Sequence, residues 1–223
     1  VLDRFETPFA VHGGPKFTPD GRFVFIMSRD GWVQKYDLWT LKQVGRIRAG
    51  LNSRNIAMSH DGKWVAVANY LPMTLTILAT DDLRVARVME IEAKDGTKSR
   101  VSAVYQAPQR QSFILALKDA PEIWAVATDP NAAPVYEGFV HTQRKGMIEA
   151  IPSSQGLFAR RRIEISEPLD DFFFSDDYRN LIGAARDGVR GVVVNLNVGR
   201  EIAELPLEGM PHLGSGISWD RNG

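Results

Sequence analysis

One turn signal recurs along this chain at a spacing that few folds accommodate. Thr18-Pro19-Asp20-Gly21 returns as Ser59-His60-Asp61-Gly62 and, in degenerate form, as Ala107-Pro108-Gln109-Arg110. It comes back as Ser175-Asp176-Asp177-Tyr178 and ends with Ser218-Trp219-Asp220-Arg221. Asp bonds its own backbone and Gly accepts positive φ, so both suit tight turns. The third residue of each copy falls at 20, 61, 109, 177 and 220, which gives spacings of 41, 48, 68 and 43. Strand-like runs follow the turns at residues 22–27, 63–68, 112–117 and 180–185. Second runs come at 32–38, 74–78, 122–127 and 191–196, and third runs at 43–47 and 84–91. A period near 40–45 with several β-runs in each copy predicts an all-β fold, a β-propeller of which the chain supplies about five blades. The spacing of 68 predicts one blade plus an insertion at about 131–160, where Pro134, Gly138, Gly146, Pro152 and Gly156 punctuate a loop. A β-sandwich of evenly spaced hairpins is the alternative. No segment longer than a turn or two shows a helical period.

Composition removes several classes of function. Twenty-seven basic residues balance twenty-seven acidic ones. A nucleic-acid domain needs a basic excess to displace counterions from phosphate, so a nucleic-acid partner is not expected. No apolar run approaches the ~18 residues of a membrane span. The absence of cysteine excludes disulfides, thiolate-bound zinc, iron–sulfur clusters, Cys nucleophiles and covalent c-type haem within these 223 residues. Dinucleotide and phosphate loops, His-Glu-x-x-His and Gly-x-Ser-x-Gly are absent too.

The repeat also says which residues share a face. In a four-stranded blade the Asp-Gly turn joins the first strand to the second, so residues about eight before it and nine after it lie at the same end. Nine after gives Arg29, Tyr70, Lys118 and Arg186; seven to nine before gives His12, Arg54, Arg100, Asp170 and His212. One end of the channel is thus expected to carry all nine. Cations crowded around a funnel repel one another unless an anion neutralises them, which points to a polyanionic ligand. Histidine there can bind metal or move protons. His60, in a turn at the opposite end, and His141, in the insertion, are expected to be ordinary surface residues. Phe172-Phe173-Phe174 reads either as blade-core aromatics or as flat apolar surface for a macrocycle.

Several of these segments, taken in order, resemble a known family. Phe9-Ala10-Val11-His12-Gly13-Gly14-Pro15-Lys16-Phe17, Ser28-Arg29-Asp30-Gly31-Trp32 and Asn52-Ser53-Arg54-Asn55 are similar to the haem d1 domain of the cytochrome cd1 nitrite reductase and NirN family. So are Ala68-Asn69-Tyr70-Leu71-Pro72, Ser99-Arg100-Val101, Leu117-Lys118-Asp119-Ala120-Pro121 and Met210-Pro211-His212-Leu213-Gly214-Ser215-Gly216. The resemblance covers essentially the whole chain and implies an eight-bladed propeller holding non-covalent haem d1. It matches His12 to the proximal iron ligand, and Arg29, Arg54 and Tyr70 to groups that hold the haem carboxylates. Position on the same face adds Arg100, Lys118 and Arg186 to the expected cofactor-binding set. His212 matches one of two distal histidines; Asp170 stands in place of the other, and Ser215 stands where nitrite reductases carry arginine. These departures favour the NirN branch over nitrite reduction.

That branch implies a periplasmic oxidoreductase of haem d1 biogenesis. It would oxidise a propionate of dihydro-haem d1 to an acrylate, with His212 or Asp170 as the base. A c-type haem would sit in a domain outside these residues. The expected partners are the tetrapyrrole and either other haem d1 biogenesis proteins or nitrite reductase. The alternatives are a nitrite reductase with altered distal residues, a haem d1 carrier of the NirF kind, and an interaction propeller. Eight blades need about 320–360 residues, so further chain or a partner is expected to close the ring.

Overall fold

A computed structural model describes residues 1–7, 9–137 and 153–209, and these form sixteen strands in four antiparallel sheets. Blade 1 comprises β1 (Lys16–Phe17), β2 (Phe23–Met27), β3 (Trp32–Asp37) and β4 (Lys42–Arg48). Blade 2 comprises β5 (Asn52–Met58), β6 (Trp64–Leu71), β7 (Thr74–Ala79) and β8 (Val85–Glu90). Blade 3 comprises β9 (Val101–Ala107), β10 (Ser112–Leu117), β11 (Glu122–Ala127) and β12 (Arg160–Glu164). Blade 4 comprises β13 (Leu169–Phe174), β14 (Asn180–Ala185), β15 (Arg190–Asn195) and β16 (Arg200–Pro206). Each sheet is a meander in which sequence neighbours pair. The fifth turn signal lies outside the described residues.

The recurring signal folds the same way each time. The hydroxyls of Thr18, Ser59 and Ser175 donate to Asp20, Asp61 and Asp177 at 2.5, 2.7 and 2.7 Å. Three residues after the Asp the chain answers: the amides of Phe23, Trp64 and Asn180 donate back to those hydroxyls at 3.0, 2.9 and 3.0 Å. Gly21 and Gly62 take φ of +69° and +71°. Blade 4 has Tyr178 at that place, at φ +53°, with its ring 5.2 Å from that of Phe174. A non-glycine residue is uncommon in this region, and packing on Phe174 helps to hold it there.

Blades stack face to face, which explains the apolar runs. A strand covered on both sides buries successive residues instead of alternating ones. Every residue of β7 is buried, as are five of the six in β10. Phe25, Met27, Val33 and Leu78 fill the space between blades 1 and 2. Leu75, Val104, Phe113 and Trp124 do so between blades 2 and 3, and Ile114, Ile163, Phe172 and Val192 between blades 3 and 4. The outer strands β4, β8 and β16 are mostly exposed.

The strand β12 gives no apolar signal because it is an outer strand built from Arg160-Arg161-Arg162. Residues 128–159 separate it from β11, with which it pairs from Glu122↔Glu164 to Val126↔Arg160. The guanidiniums of Arg160 and Arg162 lie 4.5 and 5.5 Å from the centroid of the Trp124 ring. Of the three consecutive phenylalanines, Phe172 is fully buried between blades, Phe174 packs on the same cluster at 5.5 Å from it, and Phe173 is exposed on the other side. Phe172 and Phe174 are therefore blade core, and the macrocycle-surface reading of the triplet is corrected on this point.

Candidate functional site

The innermost strands β1, β5, β9 and β13 neighbour one another in order around the channel. The chain enters each of them at one end, and the β2–β3, β6–β7, β10–β11 and β14–β15 loops return to that end. The eight candidates that fall within the described residues all map there. His12 precedes β1 and Arg29 follows β2; Arg54 lies on β5 and Tyr70 near the end of β6. Arg100 precedes β9 and Lys118 follows β10; Asp170 lies on β13 and Arg186 follows β14. His60, exposed, sits in the β5–β6 turn at the opposite end. His212 and His141 lie outside the described residues.

A repeated irregularity shapes this end. In β5, Ser53 pairs with Asn69 and Asn55 with Ala68, leaving Arg54 as an extra residue. In β9, Val101 and Ala103 pair with Leu117 and Ala116, leaving Ser102. In β13, Leu169 and Asp171 pair with Ala185 and Ala184, leaving Asp170. A bulge bends its strand and re-aims the side chains around it. Here three inner strands carry one at the same level. Ser102 turns inward, donating to the carbonyl oxygens of Ala116 and Leu169 at 3.1 and 2.7 Å, whereas Arg54 and Asp170 meet other candidates.

Blades 1 and 2 hold the first group. The His12 Nδ1 lies 2.6 Å from the backbone oxygen of Arg54. A carbonyl can only accept, so Nδ1 carries the proton. In the neutral ring Nε2 is then the acceptor, and the Arg54 guanidinium donates to it through Nη1. Arg29 is tied in by its backbone, its amide donating to Ala10 and its oxygen accepting from Ser53, both at 2.9 Å. Gly13 and Gly14 take φ of +81° and +64°. A Cβ on Gly13 would meet the Asn55 Oδ1 at 2.9 Å and the Ile56 amide at 3.1 Å. The close approach of β5 is thus enough to require this glycine.

Blades 2 to 4 hold the second group. Asn69, fully buried, accepts from the Ser53 hydroxyl at 2.6 Å and donates to Ala49, Thr74 and Thr76. A side chain satisfied on all sides fixes the backbone beside it, and so the base of Tyr70. The Arg100 guanidinium and the Lys118 ammonium lie 5.2 and 5.5 Å from the Tyr70 ring centroid. Asp119 accepts from the Arg100 amide at 3.0 Å, from its Nε at 2.8 Å and from its Nη2 at 2.5 Å. Arg186 lies 3.5 Å from Asp119 and donates to the Lys118 oxygen at 3.2 Å. Lys118 is ion-paired with Asp170.

The electrostatic expectation needs correcting at this point. Arg100, Lys118 and Arg186 are already paired with Asp119 or Asp170, so their charge alone does not demand an external anion. The case for an anionic ligand rests on Arg29 and Arg54, which form no ion pair among the described residues. Two groups escaped the sequence reading. One is Asp119, although a cation followed by Asp recurs in three loops, at Arg29-Asp30, Lys118-Asp119 and Arg186-Asp187. The other is a pair that joins inner strands β9 and β13, in which the Tyr105 hydroxyl donates to the Asp171 Oδ1 at 2.9 Å. Nothing in the repeat marks Tyr105.

Asp119 makes a pH prediction. Its hydrogen bond to Arg100, against the opposing effect of burial, holds its carboxyl below the usual range. A depressed carboxyl stabilises the fold fully above its unfolded pKa, roughly 3.9, and loses that contribution as pH falls through the lower folded value. The gap in melting temperature between the wild type and Asp119→Asn is expected to be widest above about pH 5 and to close in acid. A gap independent of pH between 2 and 7 would contradict the pairing.

Four-stranded meanders ranked around inner strands, with candidate ligands at one end of the channel, define a β-propeller. The chain superposes on the β-propeller domain of Myceliophteria thermophila Cps50 (Swd1) with a TM-score of 0.64 at 13% identity. That match covers 94% of this chain and 58% of that one, and shows the fold alone. Residues 1–135 match the sequence profile of the Cytochrome D1 heme domain, and the chain belongs to that family. It is 47% identical over 222 residues to the dihydro-heme d1 dehydrogenase of Pseudomonas aeruginosa, covering all of this chain and 40% of that protein. The solved structure of dihydro-heme d1 dehydrogenase NirN in complex with DHE superposes with a TM-score of 0.82 at 45% identity. That match covers 98% of this chain and 42% of that one. The chain thus spans about two fifths of the length of these relatives.

Proposed function

We propose that this chain is the proximal part of a tetrapyrrole site in an oxidoreductase of haem d1 biogenesis, whose substrate is dihydro-haem d1. The observation that carries the reading is the 47% identity, along the entire chain, to a dihydro-heme d1 dehydrogenase. The geometry fits such a ligand. An iron ligand must offer a lone pair, and the proton on the His12 Nδ1 leaves that lone pair on Nε2. Donating the other nitrogen's proton to a backbone carbonyl is how a metal-ligating imidazole is usually held. The Arg54 guanidinium occupies Nε2 here, so binding requires it to swing aside. It can then meet a carboxylate, as can Arg29. Tyr70, held by Asn69 and flanked by two cations, adds a hydroxyl donor. Arg100, Lys118 and Arg186 belong to the rim through their carboxylate partners and set its polarity.

When bound, dihydro-haem d1 supplies redox-active iron and a saturated propionate arm, which the proposed reaction oxidises to an acrylate. The whole protein is proposed to work in the periplasm, passing electrons to a c-type haem outside these residues and product to nitrite reductase or another biogenesis protein. The roles proposed for His12, Arg29, Arg54 and Tyr70 are binding and orientation. His212 and Asp170 are the proton acceptors that the sequence nominates. The test mixes the full-length protein with dihydro-haem d1 and follows both the absorption spectrum and the appearance of the acrylate product. A spectral shift with turnover is expected. A spectral shift without turnover leaves a carrier, and neither result leaves an interaction propeller.

A further inference from the structure

We propose that Asp171, backed by the Tyr105 phenol, is a proton acceptor of this site, an assignment that rests on the dehydrogenase reading above. The bulge in β13 sends two adjacent carboxylates to different neighbours. Asp170 is ion-paired with Lys118. That contact occupies its Oδ1. Asp171 has no ion pair among the described residues. Its Oδ1 accepts from the Tyr105 hydroxyl and from the Phe172 amide, both at 2.9 Å. Its Oδ2 accepts from no described residue and is not among the occluded unpaired atoms. One oxygen is therefore anchored and the other is open.

The pair sits where three inner strands converge. Tyr105 comes from β9, Asp170 and Asp171 from β13, and Arg54 and Asn55 from β5. The charges of Arg54 and Asp170 both act on Asp171, and Asn55 and Arg54 both act on Tyr105. The Tyr105 ring packs edge-on against Phe172 at 5.0 Å, which fixes the phenol behind the carboxyl. Burial is the largest influence on Asp171 and raises its carboxyl above the usual range; Asp170 acts in the same direction, while the Phe172 amide, Tyr105 and Arg54 oppose it. Burial, and then Asp171 itself, raise the Tyr105 phenol, so it stays a donor. A carboxylate tuned upward in this way is a better base near neutrality than an ordinary one.

Position relative to Arg54 supplies the chemistry. In a propionate the reacting C–H bonds lie one and two carbons from the carboxylate. An arginine holding that carboxylate brings those bonds within reach of the groups around it, and Asp171 is near enough to feel the Arg54 charge. Forming the acrylate breaks two C–H bonds and makes one C=C bond. The first proton passes to the Asp171 Oδ2, and the electron pair it leaves becomes the new π bond. The pair of the second C–H bond leaves as two electrons, taken one at a time by an acceptor of the haem-iron class, and its proton goes to water.

The experiment uses the full-length protein with dihydro-haem d1, measuring binding by absorption titration and dehydrogenation across pH. Asp171→Asn is expected to bind the substrate with wild-type affinity within about threefold and to lose roughly two to four orders of magnitude in rate. The wild-type rate should fall as pH drops through the Asp171 pKa, above the ordinary carboxylate range. In Tyr105→Phe the charged carboxylate loses a donor, so that limb should move to higher pH. An active wild type with Asp171→Asn within threefold of it, or a limb unmoved in Tyr105→Phe, overturns the assignment. If Asp171→Asn does not fold, the Tyr105→Phe limb decides alone. A wild type that binds substrate and never oxidises it overturns the dehydrogenase reading and this assignment with it.

Discussion

His12→Ala is expected to change the absorption spectrum of bound dihydro-haem d1 and to weaken binding by at least about a hundredfold. Loss of a group that merely hydrogen-bonds a metal ligand typically costs about 10–100-fold in affinity, and His12 is proposed as the ligand itself. The ring is held ready for this task, with Nδ1 2.6 Å from the Arg54 oxygen, and that anchor belongs to the backbone. Arg54→Ala therefore leaves the imidazole oriented while removing the guanidinium. A charge-assisted hydrogen bond contributes about 1.5–3 kcal/mol, so Arg54→Ala should lose roughly ten- to a hundredfold in affinity with little spectral change. Arg54→Lys should recover only part, because lysine lacks the two-pronged contact. The two variants thus separate iron ligation from carboxylate binding. A wild-type spectrum and affinity in His12→Ala would sink the proximal assignment.

Trp124→Ala is expected to destabilise the fold by about 3–5 kcal/mol, the range for emptying a large aromatic site in a core. Trp124 is the largest fully buried side chain among the described residues and packs with Leu75, Val104 and Phe113 between blades 2 and 3. The cavity is only part of the loss. The Trp124 Nε1 donates to the Glu122 Oε2 at 2.8 Å, and its ring underlies Arg160 and Arg162. Alanine leaves Glu122 short of a donor and strips the surface on which β12 packs. Denaturant unfolding should show a lower midpoint with little change in slope. Trp124→Phe keeps most of the volume and should recover more than half of the loss. A loss below about 1 kcal/mol in the alanine variant would mean that blades 2 and 3 do not pack through this residue.

What could be read without coordinates is local or periodic. The turn chemistry of Thr18, Ser59 and Ser175 involves groups within five residues of one another, so each turn carries its own instructions. Its recurrence placed the strands: residues 112–117 and 122–127 are β10 and β11 to the residue. Periodicity also sorted side chains by end of the channel, since a strand's length sets how far its residues lie from a turn. The family followed from ordered motifs, because Arg29, Arg54 and Tyr70 sit at fixed offsets in those repeats.

What the sequence could not show depends on how blades approach one another. The pairing of Lys118 with Asp170 joins residues 52 apart, and that of Tyr105 with Asp171 joins residues 66 apart. Both depend on a single extra residue in β13, and a bulge leaves no mark in an apolar pattern. Without it, Asp170 and Asp171 would point to opposite faces, as neighbours on a regular strand do. The need for glycine at position 13 likewise comes from the distance to β5. Composition and period determined that this chain builds blades and which residues stand at their channel ends. Only interblade packing decided which of those charges neutralise one another, and which carboxyl is left buried beside a phenol with one oxygen open.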